Sequence, residues 1–246
     1  MESLYRQEYA LHDIYLDCFG RLKPSALLYF VQETAGRHCE LLGLDWNTLA
    51  RKELFWAVTR HMVQITRLPE SGETITVETW PMPTTRVAFP RATAAYDKEG
   101  RELFRVISLW VLMNRQTRAL VLPGKSGIDV PGILRGGELP VPGSLAPGMW
   151  EDIHLRNVCF TDLDKNGHMN NTRYLDWIMD LLPADFHQAH PVKEFTLCYL
   201  SEARETQQLG LGWKRTPEDT VLVDAHRQRT DEDSGNTRVF AAKLQF

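Results

Sequence analysis

The chain has 246 residues, 43% of them hydrophobic, enough to bury one large core or two of ordinary size. A net charge of −4 with a pI near 6.1 gives no support for a nucleic-acid binder, which needs a concentrated basic surface, while leaving room for local basic patches. The opening Met1-Glu2-Ser3-Leu4-Tyr5-Arg6 lacks the apolar core of a signal peptide and no later run has the length to span a bilayer, so the expected setting is cytoplasmic. Cys18, Cys39, Cys159 and Cys198 are scattered without a CxxC pair, which gives no disulfide framework, no metal site and no bound cofactor to expect.

Taken in order, residues 7–17 suggest a first strand, after which Gly20 and Pro24 signal a turn and a helix start. Leu28, Val31, Ala35, Cys39 and Leu42 then recur at helical spacing up to Gly43, which predicts a helix over 24–42 with one apolar face. Four stretches rich in β-branched and aromatic residues follow: Phe55 to Ile65, Glu73 to Trp80, Arg86 to Tyr96 and Leu103 to Met113. The turn sequences between them favour consecutive antiparallel pairing, and so an antiparallel sheet against one long helix.

Residues 123–150 hold five of the 13 prolines and seven of the 16 glycines, the composition of a linker. Beyond it the order of elements returns. A strand is expected over Ile153–Phe160, then a polar loop and helix, a strand over Glu194–Ser201, another over Thr220–Gln228, a turn over residues 231–236 and a closing strand over Thr237–Phe246. The chain reads as a diverged duplication, with Gly20 matching Gly167, Arg21 His168, Pro24 Asn171, Leu28 Leu175, Phe30 Trp177 and Phe55 Phe195.

The densest chemistry lies at 160–177, where Asp162, Asp164, Asn166, His168, Asn170 and Asn171 precede an apolar stripe of Tyr174, Trp177, Ile178 and Leu181. That stripe predicts a buried helix stopped by Pro183, with Asn170 or Asn171 as its N-cap. His168 would then stand beside a helix N-terminus whose N–H groups suit a developing oxyanion. The first copy has no such cluster. His187-x-x-His190 is read as surface histidine rather than a metal pair, Trp56, Trp80 and Trp110 as core aromatics or tunnel lining, and Arg51, Lys52, Arg60 and Arg67 as a solvated face or a docking patch for an acidic partner.

The pattern Asn166-x-His168-x-Asn170-Asn171-x-x-Tyr174-x-x-Trp177, with Asp162-Leu163-Asp164 before it, resembles the signature of plant-type and bacterial acyl-ACP thioesterases. Ala57-Val58-Thr59-Arg60 and Ser108 to Arg118 resemble the same family in the first half. The resemblance implies an α+β tandem hotdog fold: an N-terminal hotdog over 1–122 that binds the acyl chain, a linker over 123–150, and a catalytic C-terminal hotdog over 151–246. It also implies hydrolysis of a fatty acyl thioester on acyl carrier protein, which terminates fatty acid synthesis, with catalytic positions at Asp164, Asn166 and His168. Thr196-Leu197-x-Tyr199-x-x-Glu202 adds Glu202, expected on the following strand. Where plant members carry a cysteine next, this chain has Ala203, which argues against a thiol nucleophile.

Thioester hydrolysis needs a water, a proton acceptor, donors for the carbonyl oxygen and a proton for the thiolate. The assignment is Glu202 and His168 on the water, Asn166 and a helix-start N–H on the carbonyl, and Asp164 orienting the loop. Taken singly, each residue reads first as a turn former, a cap or a surface side chain, and it is the set together with the family resemblance that favours catalysis. The alternatives to this enzyme are an acyl-CoA thioesterase and an acyl-binding sensor without turnover. Acyl carrier protein is the expected partner, a homodimer is compatible with the sequence, and acyl length is left open.

Overall fold

The computed structural model describes residues 3–148, 150, 153–228 and 237–246, and the chain divides into two compact units, Met1–Pro142 and Gly143–Phe246. In the first, strand β1 (Tyr5–Ala10) leads through a single 3-10 turn at Asp13–Tyr15 to helix α1 (Pro24–Leu41). The expected first strand thus starts earlier and stops at Ala10. Beyond Ala10 the backbone closes on itself, Tyr15 N–H donating to His12 O and Leu16 N–H to Asp13 O. Pro24 sits in the first turn of α1, and Gly43 follows its end at φ +68°. Helix α2 (Trp46–Arg51) lies outside the sequence expectations, although Asp45 caps it by accepting from the N–H groups of Asn47 and Thr48.

Strands β2 (Leu54–Ile65), β3 (Thr74–Pro81), β4 (Phe89–Tyr96) and β5 (Glu102–Asn114) follow close to the predicted bounds, and β6 (Leu120–Val121) pairs with the end of β5. They form one antiparallel sheet in the order β1-β3-β4-β5-β2, so that β3, β4 and β5 pair consecutively as expected while β2 pairs with β5 and not with β3, whose other edge is taken by β1. Helix α1 buries Leu27, Leu28, Phe30, Val31 and Ala35. Phe30 meets Tyr9 of β1 at 4.6 Å between ring centroids, and near the helix C-terminus His38 Nδ1 lies 3.0 Å from Arg91 Nη1 of β4.

The proline- and glycine-rich segment is strapped to its neighbours rather than loose. Helix α3 (Pro123–Ser126) opens it, and Ile128 and Val130 join the cluster of Leu44, Leu49, Leu54 and Leu112. Ile133 N–H donates to Pro81 O, and Arg135 reaches Glu78 at 2.6 Å while lying over the Trp80 ring. Further along, Arg238 donates to the carbonyls of Leu145 and Ala146, and buried Asp224 accepts from Gly148 N–H at 3.0 Å. Residues 123–142 therefore belong to the first unit, and the segment from Gly143 to the second.

The second unit repeats the plan. Strand β7 (Ile153–Asn157) and a 3-10 turn at Phe160–Asp162 precede helices α4 (Arg173–Met179) and α5 (Ala184–Ala189) and strands β8 (Glu194–Tyr199), β9 (Gln208–Arg215), β10 (Thr220–Arg227) and β11 (Arg238–Gln245). The sheet order β7-β9-β10-β11-β8 matches the first sheet strand for strand, which supports the duplication. Each copy is a hotdog: a helix on an antiparallel sheet. The helix of the second copy is broken in two, since Pro183 lacks the N–H to continue it and instead starts α5.

Strand β9 is absent from the sequence expectations because Gly210 and Gly212 lower its strand propensity. Tertiary contact explains them: a Cβ at Gly212 would come within 2.2 Å of the Trp150 ring. The turn expected over 231–236 lies outside the described residues.

Candidate active site

The loop between the 3-10 turn and α4 is built on one carboxylate. Asp164 accepts from the N–H groups of Asn166 (2.7 Å) and His168 (3.2 Å) and from the Asn166 side-chain amide (3.1 Å). The backbone closes the same turn, with Asp164 N–H to His168 O at 2.7 Å and Gly167, at φ +74°, donating to Asp164 O. A left-handed residue is needed there, and glycine takes it without a Cβ clash.

The first unit carries the same turn without the chemistry. Asp17 accepts from the N–H groups of Phe19 and Arg21, Asp17 N–H donates to Arg21 O at 2.7 Å, and Gly20 has φ +78°. The isolated bridges Leu16↔Leu22 and Leu163↔Met169 also correspond. Phe19 and Arg21 stand where Asn166 and His168 stand. Because the aspartate persists where the carboxamide and imidazole do not, its hydrogen bonds identify Asp164 as the brace of the loop.

Glu202 meets this loop from a separate stretch of chain. Its Oε2 lies 3.2 Å from His168 Nε2, with the imidazole largely covered and the carboxylate 43% exposed. Glu202 is not on a strand: β8 ends at Tyr199, where Leu200 and Ser201 N–H both turn to Val239 O. The two loops are tied by Met169 N–H donating to Ala203 O at 2.8 Å. The structure thus brings Asp164, Asn166, His168 and Glu202 together within the second unit.

One expectation at the helix start does not hold. The N-cap position is Thr172, and Asn170 instead accepts from the Thr172 N–H and hydroxyl. Thr172, Arg173 and Leu175 N–H groups are spent on Asn170 and Thr172. The Asn166 amide has a second N–H beyond the one held by Asp164. Two further residues at the site escape the sequence argument. Arg227 donates to Glu202 O at 2.7 Å, and Tyr174, read only as part of an apolar stripe, is a buried phenol pushed up by desolvation against the opposing effect of the Ala203 backbone.

Cys159 and Cys198, which flank the loop and Glu202 in the chain, stand in different environments. Cys198 is buried, its thiol toward Gly143 O at 3.8 Å, whereas Cys159 is exposed with its thiol toward Asn157 O. His187 and His190 are engaged by the carbonyls of Met179 and Phe186. Trp80 stands in a cluster with Met82, Ala92, Ala94 and Ile107, and Trp56 and Trp110 pack on the cluster around Leu54 and Phe89. Arg67 is held in a fork by Glu73 at 2.6 and 2.8 Å, Arg60 reaches Pro142 O, and Arg51 and Lys52 reach Thr48 and Gly127 O. No helix among the described residues is long and apolar enough to cross a membrane.

Comparison with known proteins places both halves. Residues 2–122 match the profile of the acyl-ACP thioesterase N-terminal domain, and residues 150–244 that of the acyl-ACP thioesterase C-terminal domain. A palmitoyl-acyl carrier protein thioesterase from Gossypium hirsutum is 28% identical over 221 residues, covering 81% of this chain and 52% of the relative. A dodecanoyl-[acyl-carrier-protein] hydrolase from Cinnamomum camphora is 30% identical over 193 residues, covering 72% and 50%. Both relatives are chloroplastic proteins, and the chain spans about half the length of these curated relatives. Among solved structures, an acyl-ACP thioesterase from Bacteroides thetaiotaomicron superposes with a TM-score of 0.89 at 23% identity, over 99% of this chain and 97% of that one. A 12:0-ACP thioesterase from Umbellularia californica gives 0.82 at 23% identity, over 100% and 97%. Matched in both halves, this chain belongs to the acyl-ACP thioesterase family.

Proposed function

We propose that the protein hydrolyses the thioester between a fatty acyl chain and acyl carrier protein, releasing the free acid and so terminating chain elongation. The observation that carries this reading is the His168 Nε2–Glu202 Oε2 pair at 3.2 Å, on a loop braced by Asp164, in a chain matched to the family in both halves. In the proposed reaction Glu202 and His168 together bind a water and take one of its protons as its oxygen adds to the acyl carbonyl carbon. The Asn166 amide polarises the carbonyl oxygen as it becomes an oxyanion. Collapse breaks the C–S bond, and the proton returns from the imidazole to the departing thiolate. A thiol with a pKa near 8.5 leaves readily, so the acid step asks little of His168.

Residues 151–246 would supply this chemistry and the first copy, residues 1–122, would bind the acyl chain. The support is the parallel turn at Asp17, which keeps the brace but puts Phe19 and Arg21 where the amide and imidazole would be. The proposed setting is the cytoplasm, with acyl carrier protein as partner.

Release of free thiol from a purified acyl-ACP, compared with the same acyl group on coenzyme A, tests the reading. Turnover on acyl-ACP that is lost in His168→Ala and Glu202→Gln is expected. Faster turnover of the CoA ester would reassign the donor, and stoichiometric binding without thiol release would make the protein a sensor.

A further inference from the structure

The distance between Glu202 and His168 is set by backbone anchors, because the Glu202 carboxylate is 43% exposed and lies beyond the end of its strand. Four contacts from four places in the fold hold the short segment that carries it. Ser201 N–H donates to Val239 O of β11. Ala203 O accepts from Met169 N–H, next to His168. The remaining two come from side chains. Arg227, at the end of β10, donates from Nη2 to Glu202 O at 2.7 Å and approaches Ser201 Oγ at 3.5 Å. Tyr174, on α4, is buried with its ring clamped edge-to-face by Tyr199 at 5.5 Å and Phe240 at 4.9 Å, and the Ala203 backbone opposes the rise that burial imposes on its phenol.

From this arrangement we propose that Arg227 and Tyr174 are positioning residues that fix Glu202 against His168. The inference rests on the hydrolase reading above. Neither side chain is needed to touch the acyl group. Arg227 holds the carbonyl of the carboxylate residue itself, and Tyr174 holds the next residue from the helix that follows the His168 loop. Together they couple α4 and β10 to one segment, so that the carboxylate and the imidazole keep one separation. The hydrogen bond from a cation to a carbonyl is stronger than a neutral one, which suits Arg227 to hold a residue whose own carboxylate is 43% exposed.

The test is a set of kinetic constants on one purified acyl-ACP for Arg227→Met, Arg227→Lys and Tyr174→Phe, each also made in the Glu202→Gln background. Loss of alignment by part of an ångström should lower kcat by about tenfold or more, with KM within roughly twofold. Arg227→Lys should recover part of that loss, since the ammonium can still donate to the carbonyl. In Glu202→Gln, with its small residual rate, the further substitutions should cost almost nothing, because residues acting through one group are not additive. A merely structural role would multiply the losses instead. Full kcat in Arg227→Met and Tyr174→Phe, or losses that multiply with Glu202→Gln, would overturn the inference and leave the hydrolase reading standing. Wild-type rates in Glu202→Gln would remove Glu202 from the reaction and overturn the inference with it. Should Arg227→Met fail to fold by circular dichroism, Tyr174→Phe keeps the packed ring and carries the test.

Discussion

The duplicated turn supplies its own control, and replacing its two aspartates separates bracing from catalysis. Asp164 accepts two backbone N–H groups, at 2.7 and 3.2 Å, and Asp17 accepts two at 2.9 Å each. Bonds to a charged acceptor are worth about 1.5–3 kcal/mol when shielded, and in these half-open loops about 1 kcal/mol each, so Asp164→Ala and Asp17→Ala should each cost about 2 kcal/mol. At this chain length that lowers Tm by roughly 5 °C in either variant. Turnover should divide them. Asp164→Ala frees both Asn166 and His168 from their setting, and misplacement of an ångström costs about 10²-fold in kcat. Asp17→Ala leaves the second unit untouched and should stay within about twofold of wild type. Thermal melts and acyl-ACP hydrolysis on the two variants, side by side, give the comparison. Equal kcat in the two variants would refute the argument that Asp164 serves the reaction by holding its loop.

Three other outcomes are expected. The Cys159→Ala, Cys198→Ala double mutant should keep most of its kcat and form no acyl-enzyme, since one thiol is buried toward Gly143 O and the other is directed to Asn157 O; a trapped thioester on the wild-type protein would restore a covalent mechanism. If the first copy reads acyl length, Val31→Phe or Ala35→Phe, both at buried positions of α1, should shift the profile of released fatty acids toward shorter chains, while an equal loss on all lengths would make that copy a scaffold only. Buried His61, with Nδ1 2.9 Å from Ser108 Oγ, is pulled by desolvation from 6.5 to about 3. The unfolded imidazole therefore takes up a proton that the folded one refuses: stability is full above pH 6.5 and falls toward pH 3, by about 5 kcal/mol over the whole span. Urea midpoints between pH 7 and 4 should show that slope in wild type and a shallower one in His61→Gln; identical slopes would sink the assignment.

Local periodicity and turn chemistry determined much of this protein. Pro24 and Gly43 delimit α1 because one lacks an N–H that the first turn does not need and the other takes a left-handed φ without strain. The β-branched runs gave β2 to β5, and the turns between them gave the consecutive antiparallel pairing of β3, β4 and β5 but not the place of β2, which pairs with β5. The same local rule put Asp164 and Gly167 in a turn, so the loop geometry was legible even before its repeat at Asp17 and Gly20. Strand β9 was not, because its glycines read as breakers until the Trp150 ring is seen to occupy the space of a Cβ at Gly212. The second helix was read as longer than it is, since its apolar stripe reaches Leu181 while beyond Asp180 the α-helical bonds give way to i→i−3 bonds, Leu181 N–H to Ile178 O and Leu182 N–H to Met179 O.

The tertiary structure alone decided what faces His168. Glu202 is 34 residues away in the chain, and Arg227 a further 25, so no spacing rule connects them. Their meeting depends on where β8 ends, on the shared acceptor Val239 O and on the Met169–Ala203 bond, each a contact between distant stretches. Sequence fixes torsions through neighbours within a turn or two. A catalytic distance is fixed by hydrogen bonds that close only once the sheet has assembled.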